Sequence, residues 1–140
     1  MRMRQPLIFF VHDDDRMLAA IRPLADASNW RIDAFASAQQ CVEAMVREQP
    51  DALLTELRLL DRHSEQLLKA MGALGLAIPV IAIGEERVTP LSDQAIAVGA
   101  LAVLHAPFWD EELVGAIETA IAARAIFIEA FARSAHAHAG

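Results

Sequence analysis

Five short apolar segments alternate along the chain with longer stretches in which apolar residues recur at helical spacing. Residues 7–11, 52–56, 80–83 and 101–104 are mostly apolar, whereas residues 30–35 alternate between apolar and polar side chains. Short runs of this kind, apolar almost throughout, are typical of strands in a parallel sheet that is covered on both faces. The pattern therefore predicts five strands, of which the first and the third are expected to be buried.

The stretches between these segments have the spacing of amphipathic helices. Apolar residues recur in this way over residues 17–24 and 67–71, and a weaker pattern follows residue 90. Ser37 is placed to cap the second helix and Asp110 the last, which is predicted over residues 110–133. Strict alternation of strands and helices predicts an α/β fold: a doubly wound, flavodoxin-like sheet of five parallel strands with an extended C-terminal helix.

The carboxyl ends of the strands are where such a sheet gathers its functional groups. The acidic run at residues 13–15 follows the first strand, and Glu56 ends the third. Gly84 follows the fourth strand and Ala106 the fifth. We therefore expect these positions to share one crevice.

Several motifs in this order resemble the receiver domains of bacterial response regulators. Val-His-Asp-Asp-Asp at residues 11–15 looks like the acidic end of the family's first strand, and residues 51–61 look like its third strand and the following loop. Ala-Pro-Phe at residues 106–108 stands where the family has Lys-Pro, often with a cis bond. The resemblance covers residues 6–122, and the order and spacing of the motifs are more specific than any one of them.

In that family of two-component signalling proteins, a histidine kinase donates a phosphoryl group to an aspartate at the end of the third strand. Two acidic residues hold Mg²⁺, and a Thr or Ser and a Lys contact the phosphoryl oxygens. The resemblance places Asp13 and Asp14 at the acidic pair, but Glu56 at the acceptor, Gly84 at the hydroxyl and Ala106 at the lysine. Gly84 and Ala106 follow Glu56 by 28 and 50 residues, as the family's spacing requires. The resemblance thus implies a degenerate pseudo-receiver that lacks the phosphoacceptor Asp.

These replacements remove what phosphoryl transfer needs, which is mostly positioning and stabilisation of spread negative charge. The carboxylate of Glu56 lies about 1.5 Å from where an Asp would place it, and about 1 Å of misplacement already costs roughly a hundredfold in rate. Ala106 supplies no cation and Gly84 no hydroxyl, and one lost donor costs about 3 kcal/mol. Val103 stands where the family often has a switching aromatic. We therefore predict a locked, phosphorylation-independent interaction module rather than an enzyme.

Asp13, Asp14 and Glu56 are candidate ligands for weak binding of Mg²⁺ or Ca²⁺, because hard cations take oxygen ligands. The alternative is that Asp14 and Asp15 cap and charge-complement the first helix. We expect no cofactor to be required.

The last helix is predicted to extend beyond the rest of the domain. Residues 1–122 are expected to form the receiver-like domain, and residues 123–140 a helical extension with a flexible tail. An apolar pattern continues past the domain body, and such exposed patches usually mark an interface. The residues are Ile126, Phe127, Ile128 and Phe131. A homodimer formed through this helix is the favoured interpretation, and the alternative is a helix that folds back on its own domain.

Composition limits the partners. The net charge of −7 argues against direct nucleic-acid binding, which needs a basic face. No uncharged stretch reaches membrane-spanning length, and the one cysteine, Cys41, is expected to be a buried apolar residue of a reduced, cytoplasmic protein.

His12 and His105 are expected to be partly buried and hydrogen-bonded, since no metal-ligand spacing links them. Other signalling proteins are the expected partners.

Three other functions compete with this interpretation. Acceptor-less receivers with a long helix resemble the sensor half of ANTAR-type RNA-binding antitermination regulators, although no RNA-binding domain lies within these 140 residues. Phosphorylation, dependent on Mg²⁺, could persist at Glu56. The acidic run also resembles that of haloacid-dehalogenase-type phosphatases, but we find no matching downstream lysine.

Overall fold

The computed structural model of the protein describes residues 5–12, 15–56, 71, 73, 77–84, 101–105 and 108–139, and only the backbone of residues 131–139. Five strands form one sheet: β1 (Leu7–Val11), β2 (Arg31–Phe35), β3 (Ala52–Glu56), β4 (Val80–Gly84) and β5 (Ala102–His105). Every pairing is parallel, and the order is β2-β1-β3-β4-β5. The predicted flavodoxin-like sheet is therefore confirmed, with strand ends within one residue of their predicted positions.

Three helices flank the sheet in the described part of the chain: α1 (Asp15–Ser28), α2 (Ala38–Arg47) and α3 (Asp110–Ala139). Apart from Met71 and residue 73, which are helical, the two helices predicted near residues 67–71 and after residue 90 lie outside the described residues. The bounds of α3 differ from the prediction, because the helix continues past residue 133 to Ala139.

The helix starts show one correct and one wrong prediction. Ser37 is the N-cap of α2, and its side chain accepts a hydrogen bond from the Gln40 N–H at 3.2 Å. Asp110 was expected to cap the last helix, but it is the first helical residue. The Trp109 N–H donates to Glu112 Oε1 at 3.1 Å, and the Trp109 carbonyl accepts from the Glu112 N–H at 3.0 Å. Trp109 thus occupies the cap position, with the Glu112 side chain returning to it as in a capping box.

The core has two halves because alternate strand residues face opposite sides of the sheet. One half joins β-strand residues such as Phe10 and Leu54 to α1 and α3. The other joins Phe9 and Leu53 to residues of α2, including Cys41. By this alternation, Glu56 lies on the α1/α3 face of β3 and its neighbour Thr55 on the α2 face.

The buried stripe of α3 ends at the amino-terminal edge of the sheet. Its buried positions are Leu113, Ile117, Ala120 and Arg124, and residues 125–130 are all exposed. The boundary predicted after residue 122 therefore falls inside a continuous helix, and Arg124, beyond it, still packs on the body. The division of the chain at that point remains a prediction.

Candidate functional site

The carboxyl ends of β3, β4 and β5 bring the predicted crevice residues to one edge of the sheet. Glu56 is the last residue of β3 and pairs in register with Ile83 of β4. Gly84 is one residue further along β4 and pairs with His105, the last residue of β5. Ala106 follows His105 directly in the chain but is itself outside the described residues.

Glu56 is buried, with 8% of its surface exposed. The residue before it, Thr55, is also buried, and its hydroxyl donates to the Glu56 main-chain carbonyl at 3.3 Å. Since Thr55 faces the α2 side of the sheet, its hydroxyl does not replace the missing one on the face of the Glu56 carboxylate.

The residues at the family's hydroxyl and switch positions, Gly84 and Val103, supply no group for a phosphoryl oxygen. Gly84 has no side chain, so no hydroxyl projects from the end of β4. Val103 is half-buried and pairs with Ala82, while its neighbour Leu104 packs into the α1/α3 half of the core. An aliphatic side chain at position 103 has neither the ring nor the polar end of the family's switching aromatic.

The predicted metal ligands cannot be assembled from the described residues. Asp13 and Asp14 lie outside them, and Glu56 is the one described member of the set. Within the described ranges, no group of three His, Cys, Asp or Glu residues is arranged to hold a metal ion. Weak Mg²⁺ binding therefore stays a prediction.

His12, at the end of β1, departs from its expected role. It is buried beside Phe10, with the two ring centroids 4.9 Å apart, and its main-chain N–H donates to the Phe35 carbonyl at 3.0 Å. The ring Nδ1 has no hydrogen-bond partner in the described part of the molecule. The expectation of a hydrogen-bonded ring is wrong for this atom, and a polar ring occupies an apolar position next to the crevice.

Cys41 has the expected structural role. It is fully buried in α2, and burial raises the pKa of its thiol to about 12. At neutral pH the nucleophilic thiolate is therefore almost absent.

Sequence reasoning missed a polar anchor at the opposite edge of the sheet. Arg124 is buried, donates to Gln49 Oε1 at 2.8 Å and has its Nη1 3.5 Å from Asp51 Oδ1. Asp51 also accepts the Leu7 N–H at 2.8 Å, which ties this anchor to the start of β1. The available signal was the helical spacing of Arg124 from Leu113, Ile117 and Ala120, which places a charged residue on the buried stripe.

Past Arg124, the apolar residues of α3 are exposed as predicted: Ile126 by 66%, Phe127 by 51% and Ile128 by 47%. The side chain of Phe131 lies outside the described residues. Over the ranges that the structure describes, none of the helices combines the length and apolar character needed to cross a bilayer.

Comparison with known proteins identifies the fold and the domain type. The Response regulator receiver domain family matches residues 8–118. The response regulator protein TmoT of Ectopseudomonas mendocina is 28% identical over 121 residues, which is 86% of this chain and 55% of TmoT. Full-length FixJ from B. japonicum is 26% identical, covering 96% of this chain and 68% of FixJ with a TM-score of 0.78.

A likeness at lower identity supports the same fold. The signal receiver domain of an HD domain-containing protein from Pseudomonas fluorescens Pf-5 superposes with a TM-score of 0.80 at 19% identity, over 92% of this chain and 96% of that domain. This chain spans about half the length of the curated relatives that it matches. The family match covers most of the chain and coincides with the five-stranded sheet. The chain therefore belongs to the response regulator receiver domain family, whose members work in signal transduction.

Proposed function

We propose that this receiver works without phosphorylation, as a protein-interaction and dimerisation module. The observation that supports the proposal is the buried Glu56 at the end of β3. Glu56 pairs with Ile83, and the next residue of β4, Gly84, has no hydroxyl to offer. A receiver needs an in-line acceptor and donors for the phosphoryl oxygens. Ala106 stands at the family's lysine position, so the cation that would contact the phosphoryl oxygens is also missing.

Glu56 favours one fixed state of the domain. Its carboxylate carries about one negative charge, compared with nearly two for a phosphoryl group at neutral pH. A carboxylate at this position is a partial mimic of the phosphorylated form. Because Gly84 and Val103 supply no group that moves in response to that charge, we expect a locked conformation rather than a switch.

Weak Mg²⁺ or Ca²⁺ binding by Asp13, Asp14 and Glu56 is compatible with this function but not needed for it. Oxygen ligands suit both ions, and a cation would relieve repulsion among three carboxylates. A pseudo-receiver that never carries phosphate has no reaction for the metal to assist.

The relatives suggest where the signal goes. FixJ is named a transcriptional regulatory protein, and this chain matches 56% of its length. We infer that the domain regulates an output, either on a longer chain or on a separate signalling protein, in the cytoplasm. With a net charge of −7, the 140 residues themselves are not expected to bind nucleic acid.

Dimerisation is proposed through the exposed end of α3. Beyond Arg124 the helix continues for about 15 residues, or ~22 Å at 1.5 Å per residue, with no buried position among residues 125–130. Most helical stability in proteins comes from packing of an apolar face, so a partner packed on this segment would stabilise it. Three exposed large apolar residues in succession, Ile126 to Ile128, favour such a partner.

Two measurements test the two parts of this proposal. The intact mass of the native chain after treatment with acetyl phosphate and Mg²⁺ is expected to be unchanged. A phosphoryl group on Glu56 would instead support the rival function, a receiver with an altered acceptor. The molar mass in solution is expected to be that of a dimer for the whole chain and of a monomer for a chain ended at Ala125, which keeps the buried Arg124. Equal monomer masses would contradict dimerisation.

A further inference from the structure

β2 is an edge strand, because the sheet order places β1 on one side of it and, among the described residues, no strand on the other. The Arg31 N–H and the Phe35 carbonyl both form hydrogen bonds with main-chain groups that flank β1, at 2.9 and 3.0 Å. Successive residues of a paired strand direct their main-chain groups to opposite sides. Ile32 and Ala34 therefore direct their N–H and carbonyl groups away from β1, toward the open edge.

A cleft of about 600 Å³ follows this open edge. Its lining includes Ile32 and Ala34 of β2, Arg22 of α1 and Arg47 of α2. Since α1 and α2 pack on opposite faces of the sheet, the cleft passes around the edge of β2 and does not lie on one face alone. We call it the edge cleft. Its place leaves room for an extended segment beside β2.

The charges of the edge cleft favour an acidic occupant. The carboxylates of Asp33 and Glu48, which also line it, both bind Arg31, at 2.9 and 2.8 Å. Arg22 and Arg47 are exposed, and neither makes an ion pair or a side-chain hydrogen bond within the part of the chain that the structure describes. Two arginines therefore remain available to an acidic partner, on a chain whose net charge is −7.

The positions of these two arginines define a pattern for the partner. Arg22 belongs to α1 and Arg47 to α2, so the two side chains start from opposite faces of the sheet. Successive side chains of a strand also point to opposite faces. Two adjacent acidic residues in an added strand can therefore contact one arginine each, while the main chain of that strand pairs with Ile32 and Ala34.

A second copy of this chain fits the edge poorly. The antiparallel pairing that uses all the outward groups joins Ile32 of each copy to Ala34 of the other, so that the two copies of Asp33 face each other across the two-fold axis. The same axis places both copies of Arg22 on one face and both copies of Arg47 on the other. Like charges directly opposite each other destabilise a strand pair, and charged side chains commonly protect sheet edges against self-pairing.

We propose that the edge of β2 binds an extended acidic segment of a partner protein, which adds a sixth strand to the sheet and places adjacent acidic side chains on Arg22 and Arg47. In strand addition, main-chain hydrogen bonds supply affinity and side-chain contacts supply specificity. The proposal rests on the protein-interaction role of the proposed function and names its surface and the chemistry of the partner. It involves neither Glu56 nor α3, so its failure would leave the phosphorylation and dimerisation tests unaffected.

Fluorescence anisotropy with a synthetic peptide tests the main-chain part of the proposal. The probe is fluorescein-labelled Thr-Val-Glu-Glu-Val-Thr, and the matched control carries N-methyl groups on both glutamate amides, which block pairing from either edge of the peptide and keep its charge. The unmodified peptide is expected to bind the native chain at least about tenfold more tightly than the control, because lost main-chain hydrogen bonds cost about 1 kcal/mol each. Equal affinities, or no binding of the unmodified peptide at millimolar concentration, would overturn the proposal.

Variants of the whole chain test the charge part. Arg22→Gln and Arg47→Gln are each expected to raise the dissociation constant of the peptide about threefold, and the double variant about tenfold, as loss of exposed ion pairs does. Arg16→Gln removes the same charge from an exposed position of α1 that does not line the edge cleft, and it is expected to leave the constant unchanged. An effect of Arg16→Gln as large as that of Arg22→Gln would show general charge attraction and contradict the site.

A proline in β2 removes one outward donor and leaves the hydrogen bonds to β1 in place. Proline is tolerated in edge strands where the N–H would face solvent, so Ala34→Pro is expected to keep its far-ultraviolet circular dichroism and to bind the peptide about fivefold more weakly. If this variant does not fold, the N-methylated peptide decides the same question on the native chain. A folded Ala34→Pro with native affinity would overturn the proposal. A folded Ala34→Pro that loses the homodimer would show that a second copy, and not an acidic partner, occupies the edge.

Discussion

Arg124 Nη2 donates a hydrogen bond to Gln49 Oε1 at 2.8 Å, across 75 positions of the chain. The same guanidinium lies 3.5 Å from Asp51, whose other oxygen accepts the Leu7 N–H. One buried cation therefore connects α3 with the α2–β3 loop and the first residue of β1. The anchor ties α3 to the amino-terminal edge of the sheet at the last buried position of the described helix.

Replacing this anchor is expected to destabilise the domain. Arg124→Met keeps the apolar stem but removes the charge, which leaves Asp51 and Gln49 without their partner. Breaking a partly buried pair of this kind is expected to lower the free energy of unfolding by about 2 kcal/mol, measured by urea denaturation. The control Glu118→Ala, on the exposed face of the same helix, is expected to stay within about 0.5 kcal/mol. Equal stability of Arg124→Met and the native chain would show that the anchor is dispensable.

The side chain of His12 is expected to lower the free energy of unfolding of the native chain. Its buried Nδ1 has no hydrogen-bond partner among the described residues, and a buried unsatisfied polar atom is destabilising by about 1–3 kcal/mol. His12→Leu is therefore expected to raise the free energy of unfolding by about 1 kcal/mol, while His12→Asn, which keeps a buried polar group, gives no gain. A loss of stability in His12→Leu would indicate that the ring has a structural role at the crevice.

The buried thiol makes stability depend on pH in the alkaline range. The unfolded thiol loses its proton above about pH 8.5, whereas the folded Cys41 keeps its proton up to a pKa of about 12. Between these values the unfolded state binds fewer protons, so the stability of the folded state falls as the pH rises. From pH 8 to pH 10, the native chain is expected to lose about 2 kcal/mol more than Cys41→Ala. Identical slopes for the two proteins in denaturant unfolding would contradict this.

The fold could be predicted because its signals are local. Short apolar runs such as Leu7–Val11 and Ala52–Glu56 are typical of buried parallel strands. Because these runs alternate with helical patterns, only a few sheet topologies are compatible with the sequence. Ser37 could be identified as a cap because a serine side chain accepts a hydrogen bond from a main-chain N–H in the first turn of the helix that follows it. The cap of α3 was predicted one residue late, at Asp110 instead of Trp109. Acidic residues at both 110 and 112 suit a first turn, and the contact between Glu112 and Trp109 shows which residue is the cap.

The crevice could be predicted in part, whereas for the anchor the sequence offers only the place of Arg124 on the buried stripe of its helix. The burial of Glu56 and its place beside Gly84 follow from their positions at strand ends, which the sequence shows. The contact of Arg124 with Gln49 depends on the packing of distant elements, and no spacing in the sequence encodes it. The unsatisfied ring nitrogen of His12 likewise depends on which neighbours the fold brings near.

The most direct test of the account compares the intact mass of the native chain with that of the triple variant Glu56→Asp/Gly84→Thr/Ala106→Lys, both treated with acetyl phosphate and Mg²⁺. The variant restores the acceptor, the hydroxyl and the cation that phosphoryl transfer requires. We predict one added phosphoryl group on the triple variant and none on the native chain. A phosphoryl group on the native protein that Glu56→Gln abolishes, or a folded triple variant that remains unmodified, would contradict the account.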